Sequence, residues 1–133
     1  MKTIKLACIA SILATSIAYA GAPCDGFEIT VKNNLPDKLI ASTVKLSGAD
    51  IKPLLVEINS KSENVFTVSG SIEGEDMHGE LVFKTISLPS KTIHVEFDLK
   101  NQILLCQHTN KELDNEYPVT HIRLPSKVVY TIG

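Results

Sequence analysis

The sequence predicts an all-β fold: a small antiparallel β-sandwich of about 8–9 strands, with a small β-barrel as second choice, behind a cleaved signal-peptide helix. Three observations carry this. Apolar and polar residues alternate with period two along most of the chain after Ala20. Turn-forming clusters interrupt the alternation roughly every 10–12 residues. No segment after Ala20 sustains an apolar repeat near 3.6.

The first twenty residues have a different logic. Lys2 and Lys5 form a basic start, Leu6–Ile17 is an uncharged apolar run, and Ala18-Tyr19-Ala20 is a small-x-small cleavage site. The run is short for a membrane span. Residues 1–20 are therefore expected to be a signal peptide, and residues 21–133 a single secreted β domain. Pro23 immediately before Cys24 disfavours a lipoprotein anchor, and no later apolar stretch is long enough to serve as one. The expected product is a periplasmic or secreted protein of bacterial type, without a transmembrane anchor.

The elements follow in order. Phe27, Ile29 and Val31 mark a first strand, stopped by Asn33-Asn34-Leu35-Pro36-Asp37. A second runs from Lys38 to Leu46, before the turn Ser47-Gly48-Ala49-Asp50. Leu54, Val56 and Ile58 suggest a third, and Val65–Ile72 a fourth. Glu73 to Gly79 reads as a polar hairpin loop leading to a fifth strand, Leu81–Leu88. The clearest is the sixth, with Ile93, Val95, Phe97 and Leu99 inward and His94, Glu96 and Asp98 outward. A short turn at Asn101 precedes a strand Ile103–His108, and Thr109–Pro118 forms a longer loop. One helical turn fits Lys111–Asp114. Val119–Leu124 and Lys127–Ile132 close the chain around Pro125-Ser126.

Two cysteines, Cys24 and Cys106, remain after cleavage. In an oxidising compartment such a pair is expected to form a disulfide. Removing Lys2 and Lys5 leaves 11 basic against 15 acidic side chains, a net charge of −4, and Arg123 is the single arginine. That balance argues against nucleic acid as a partner, because phosphate neutralisation supplies most of such affinity. Tryptophan is absent and aromatic residues are few, which counts against sugar-binding and membrane-interface surfaces.

The densest polar cluster is Glu73, Glu75, Asp76 and His78, with Glu80 beyond it. Several carboxylates with one imidazole suit a divalent cation; the same residues also fit a solvated hairpin tip. His94, Glu96 and Asp98 form a second polar face, whose i, i+2 spacing of about 7 Å needs a third ligand from a neighbouring strand. No catalytic residue is predicted: the chain lacks a G-x-S-x-G elbow and an HExxH spacing, and Ser69-Gly70-Ser71 lies within an expected strand. No cofactor is expected beyond such a cation.

Val31-Lys32-Asn33-Asn34-Leu35, followed by Phe66–Gly74 and Gly79–Phe83, resembles the aegerolysin and actinoporin-like β-sandwiches over about a third of the mature chain. The resemblance implies lipid binding; this sequence departs from it in lacking an aromatic membrane-contact cluster. The leading functional expectation is an exported, soluble, non-catalytic protein that binds a protein or other macromolecule of a host or cell surface. The alternatives are a lipid-binding or pore-forming sandwich and a small divalent-metal-dependent hydrolase.

Overall fold

A computed structural model describes residues 22–133. The expected signal peptide and its helix, residues 1–20, lie outside the described residues. Ten strands form two five-stranded sheets. The first sheet has the order β3 (Asp50–Lys52), β5 (Glu63–Ser69), β1 (Glu28–Asn33), β10 (Lys127–Ile132), β9 (Val119–Leu124). The second has the order β4 (Glu57–Ile58), β2 (Leu39–Leu46), β6 (Asp76–Thr85), β7 (Thr92–Asn101), β8 (Cys106–Lys111). Two sheets with separate edges make a sandwich-like arrangement, not the closed barrel of the second choice. No helix occurs among the described residues, so Lys111–Asp114 does not form its expected helical turn.

Alternation puts one set of side chains between the sheets. Ile29, Val31, Phe66, Val68, Val128, Tyr130 and Ile132 face Leu81, Phe83, Ile93, Val95, Phe97 and Leu99, all buried. Each such burial stabilises by about 1.5–3 kcal/mol. One pairing is not antiparallel: β1 runs parallel to β10, from Glu28 beside Lys127 to Asn33 beside Ile132. The chain's first and last strands thus share the centre of one sheet. No hairpin dictates that contact, so local sequence carries no signal for it.

Three segments differ from the sequence expectation. The third strand, placed at 54–58, is reduced to β4 at Glu57–Ile58, while β3 forms earlier, at Asp50–Lys52, in the other sheet. Pro53, joined to Lys52 by a cis bond, has no N–H for a ladder, and Leu54 and Leu55 are exposed. Next, β6 begins at Asp76, inside the expected 73–79 loop, and this connection crosses between sheets instead of closing a hairpin. Met77 is already buried there, and Gly79 admits the Phe97 ring where a Cβ would lie 2.3 Å from it. The polar residues at 76, 78 and 80 hid this inward register. Last, β8 starts at Cys106 and extends to Lys111. The pairing Asn101–Cys106 leaves Gln102, Ile103, Leu104 and Leu105 as the connecting loop.

The Cys24–Cys106 disulfide is present and joins the segment before β1 to the start of β8, bridging the two sheets. Beside it, the Cys24 N–H donates to the buried Asn101 Oδ1 at 2.7 Å. At the opposite end, Asn33 is fully buried. Its Nδ2 lies within bonding distance of the carbonyls of Asp37, Ile58 and Asn59, and its Oδ1 accepts from Leu35 N–H. Asn33 thereby ties the β1–β2 connection to the turn after β4.

Candidate functional sites

The outer face of β6–β7–β8 gathers most of the polar residues singled out from sequence. Opposed positions in the ladder place His78 beside Asp98, and Glu80 beside Glu96. The His78 ring lies between two carboxylates, with Nδ1 2.9 Å from Asp98 and Nε2 3.5 Å from Glu96. Lys111 is 3.9 Å from the same Asp98, and Lys100 is 3.9 Å from Asp76. Glu73 and Glu75 are exposed on the crossover before β6. The His94 ring bonds Thr92 at 3.1 Å, while its backbone exchanges two bonds with Asn115.

The two expected clusters are therefore redistributed. His78 joins Glu96 and Asp98, whereas Glu73, Glu75 and His94 take no part in that contact. Among the described residues, no group of three or more His, Cys, Asp or Glu side chains could hold a metal ion. Both imidazole nitrogens already face carboxylates, and ammonium groups pair with three of the acids, Lys45 with Glu80 at 3.2 Å being the third. Exposed pairs of this kind contribute about 0–1 kcal/mol each. Their arrangement is that of a charged, solvated sheet face. The Ser71 hydroxyl bonds Asp25 at 2.7 Å and helps hold the N-terminal segment to the end of β5.

A second cluster lies where the edge strands β8 and β9 face each other. Cys106, His108 and Asn110 of β8 and Arg123 of β9 are buried or half-buried in this seam, and the exposed His121 of β9 lies at its rim with its ring 6.1 Å from that of His108. His108 Nε2 is 2.8 Å from the Tyr130 hydroxyl, which donates to Asn110 Oδ1 at 3.0 Å. Asn110 Nδ2 in turn donates to Glu112 at 3.2 Å. Arg123 donates to the Cys106 carbonyl at 2.5 Å and the Lys127 carbonyl at 3.1 Å, with its guanidinium 4.7 Å from the Phe27 ring centre. Burial pushes His108 down to about 4, assisted by the charges of Arg123 and His121. Burial also raises Tyr130 above the ordinary phenol value, with Glu112 adding to the effect. One sequence signal was available: Cys106 had to face inward to pair with Cys24, so His108, two residues on, shares its face.

The third feature is apolar. Ile103, Leu104 and Leu105 at the β7–β8 turn are 93%, 91% and 53% exposed. The same end of the sandwich carries the exposed Ile72 and Leu124, and Pro23 and Pro125. Asp25 and Glu73 stand beside the loop. The loop is well braced: Gln102 N–H donates to the Leu105 carbonyl at 2.9 Å, and the Gln102 and Gln107 side chains bond at 2.7 Å. The disulfide and Asn101 fix its base. Sequence reasoning took these aliphatic residues for strand because their type favours one. Neither a protein-family model nor any curated protein sequence matches the chain.

Proposed function

We propose that this is an exported, non-catalytic binding protein that holds another macromolecule through the apolar end of its sandwich. The observation that carries the reading is the Ile103-Leu104-Leu105 tip, three consecutive large aliphatic side chains projected into water on a braced loop. Isolated exposed apolar residues are ordinary, but a contiguous projecting set marks a contact surface. Burying Ile103 and Leu104 in a partner would supply about 3–6 kcal/mol before the cost of association. Asp25 and Glu73 give the tip an acidic surround, which suits a protein partner with an apolar socket rimmed by lysine or arginine. Export is supported by the order of basic start, apolar run and cleavage site in residues 1–20.

A lipid surface is the second reading, favoured by the same projecting tip. The acidic surround directs it to zwitterionic rather than anionic lipid. A metal-dependent hydrolase finds no grouped ligand set among the described residues. A photo-crosslinking residue at position 104, used on target cells and on phosphatidylcholine vesicles, tests the proposal. One saturable protein adduct, competed by wild-type protein and not by an Ile103→Ser/Leu104→Ser variant, is the expected result. Adducts to lipid alone would favour the second reading. No competed adduct of either kind would remove both.

A further inference from the structure

We infer that the β8–β9 side of the sandwich is an acid-labile seam, in which protonation of His108 releases the two edge strands while the disulfide keeps them tethered.

The inference starts from connectivity. β8 and β9 each end a sheet, so each is held by backbone bonds on one side only. Along this seam the sheets are joined by polar side chains. His108 of the second sheet bonds Tyr130 of the first, Tyr130 bonds back to Asn110, and Arg123 reaches across to the Cys106 carbonyl. Edge strands with few restraints are the first parts of a fold to open.

The hydrogen-bond chain fixes the proton positions. The Asn110 amide gives its Nδ2–H to Glu112, so its Oδ1 is the acceptor for the Tyr130 proton. The single phenolic proton is thereby used, and His108 Nε2 must carry a hydrogen and donate to the Tyr130 oxygen. His108 is therefore the neutral Nε2–H tautomer, and further protonation falls on Nδ1.

The resulting cation would be poorly placed. From β7 the His108 ring meets Phe97 at 5.8 Å, and from the segment before β1 it meets Phe27 at 6.2 Å. From β9 it meets His121 at 6.1 Å, and the Arg123 guanidinium lies over the Phe27 ring at 4.7 Å. From β10 it meets Tyr130, whose hydroxyl is already engaged. The carboxylate in the chain, Glu112, connects to His108 only through Asn110 and Tyr130. Acid thus places an imidazolium at His108 in the same seam as the Arg123 guanidinium with no direct counter-charge, and separation of β8 from β9 relieves it. Cys106 stays bound to Cys24, so β8 remains pinned at its first residue. The part from His108 onward, and β9, are free to lift.

Amide hydrogen exchange between pH 7 and pH 4, corrected for the intrinsic pH dependence of exchange, tests this in the disulfide-bonded protein. Protection of 107–111 and 119–124 should fall at least tenfold on acidification while β6, and the β7 amides that pair with β6, keep theirs. In His108→Gln, whose uncharged amide can still donate to Tyr130, the acid-induced loss should vanish. Equal loss in the glutamine variant, or none in the wild type, would overturn the inference. Should the variant not fold, NMR titration of wild-type histidines decides. The inference requires the His108 ring and the 107–111 amides to shift together with one depressed midpoint. Titration of His108 near 6.5 without those amides would refute it.

Discussion

Replacing both cysteines of residues 21–133, Cys24→Ala with Cys106→Ala, removes the cross-link without leaving a free thiol in that segment. The bond spans a sequence separation of 82 residues. For a loop of that length, chain entropy assigns about 4.5 kcal/mol to the constraint on the unfolded state. Domains of this size have a total stability of about 5–15 kcal/mol, so the loss is between a third and nearly all of it. With a urea m-value of about 1.5 kcal/mol per molar, the unfolding midpoint should fall by about 3 M. The assay is equilibrium urea unfolding by circular dichroism, with and without dithiothreitol. Reductant should bring the wild type to the variant's midpoint and leave the variant unchanged. A shift under about 0.5 M would refute the reasoning. It would mean that the unfolded chain already keeps the two segments close without the bond, so that the cross-link removes little further freedom.

Other consequences follow from single side chains. Asn33→Ala strips the partners from the Leu35 N–H and three carbonyls near the β1–β2 turn, and should cost about 2–3 kcal/mol in urea unfolding; a cost under about 0.5 kcal/mol would count against that role. Gly79→Ala drives a methyl into the Phe97 ring, and should lower stability by about 1–3 kcal/mol in urea unfolding; a cost under about 0.5 kcal/mol would count against the overpacking. For His108 the folded value is depressed to about 4 from 6.5, so the unfolded chain takes up the proton first. Its contribution is complete above about pH 6.5 and is lost as pH falls toward 4. The full shift corresponds to about 3 kcal/mol; partial exposure of the ring reduces this to about 1–2 kcal/mol. Urea unfolding at pH 7 and pH 4.5 should show that increment in the wild type and not in His108→Gln.

How legible the fold was depends on what each strand's neighbours demand. β1, β2, β5, β7 and β10 were readable because one face is core and the other is wet, which imposes period two on residues such as Ile93, Val95, Phe97 and Leu99. The start of β6 was hidden because its inward residues are Met77 and Gly79, and glycine there serves the Phe97 ring instead of supplying an apolar side chain. The opposite error occurred at Ile103-Leu104-Leu105, where strand-favouring residues occupy a turn set by the Asn101–Cys106 pairing. The parallel β1–β10 contact joins distant segments and leaves no periodic trace. The polar sites were partly legible. Outward parity put Glu96 and Asp98 on one face, but only the β6–β7 register reveals His78 as their neighbour. The His108–Tyr130 contact needs two sheets to exist, so no spacing along the chain encodes it.

The central claim is that the apolar tip is the contact surface. Its most direct test is the affinity of the isolated crosslinked partner for wild type and for Ile103→Ser/Leu104→Ser, measured by calorimetry at equal stability. Loss of two buried aliphatic anchors predicts at least about 3 kcal/mol, a binding constant weakened more than a hundredfold. The same variant should unfold at the wild-type urea midpoint, because neither side chain is packed in the core. Equal affinity of the two proteins would contradict the account and move the contact elsewhere on the sandwich.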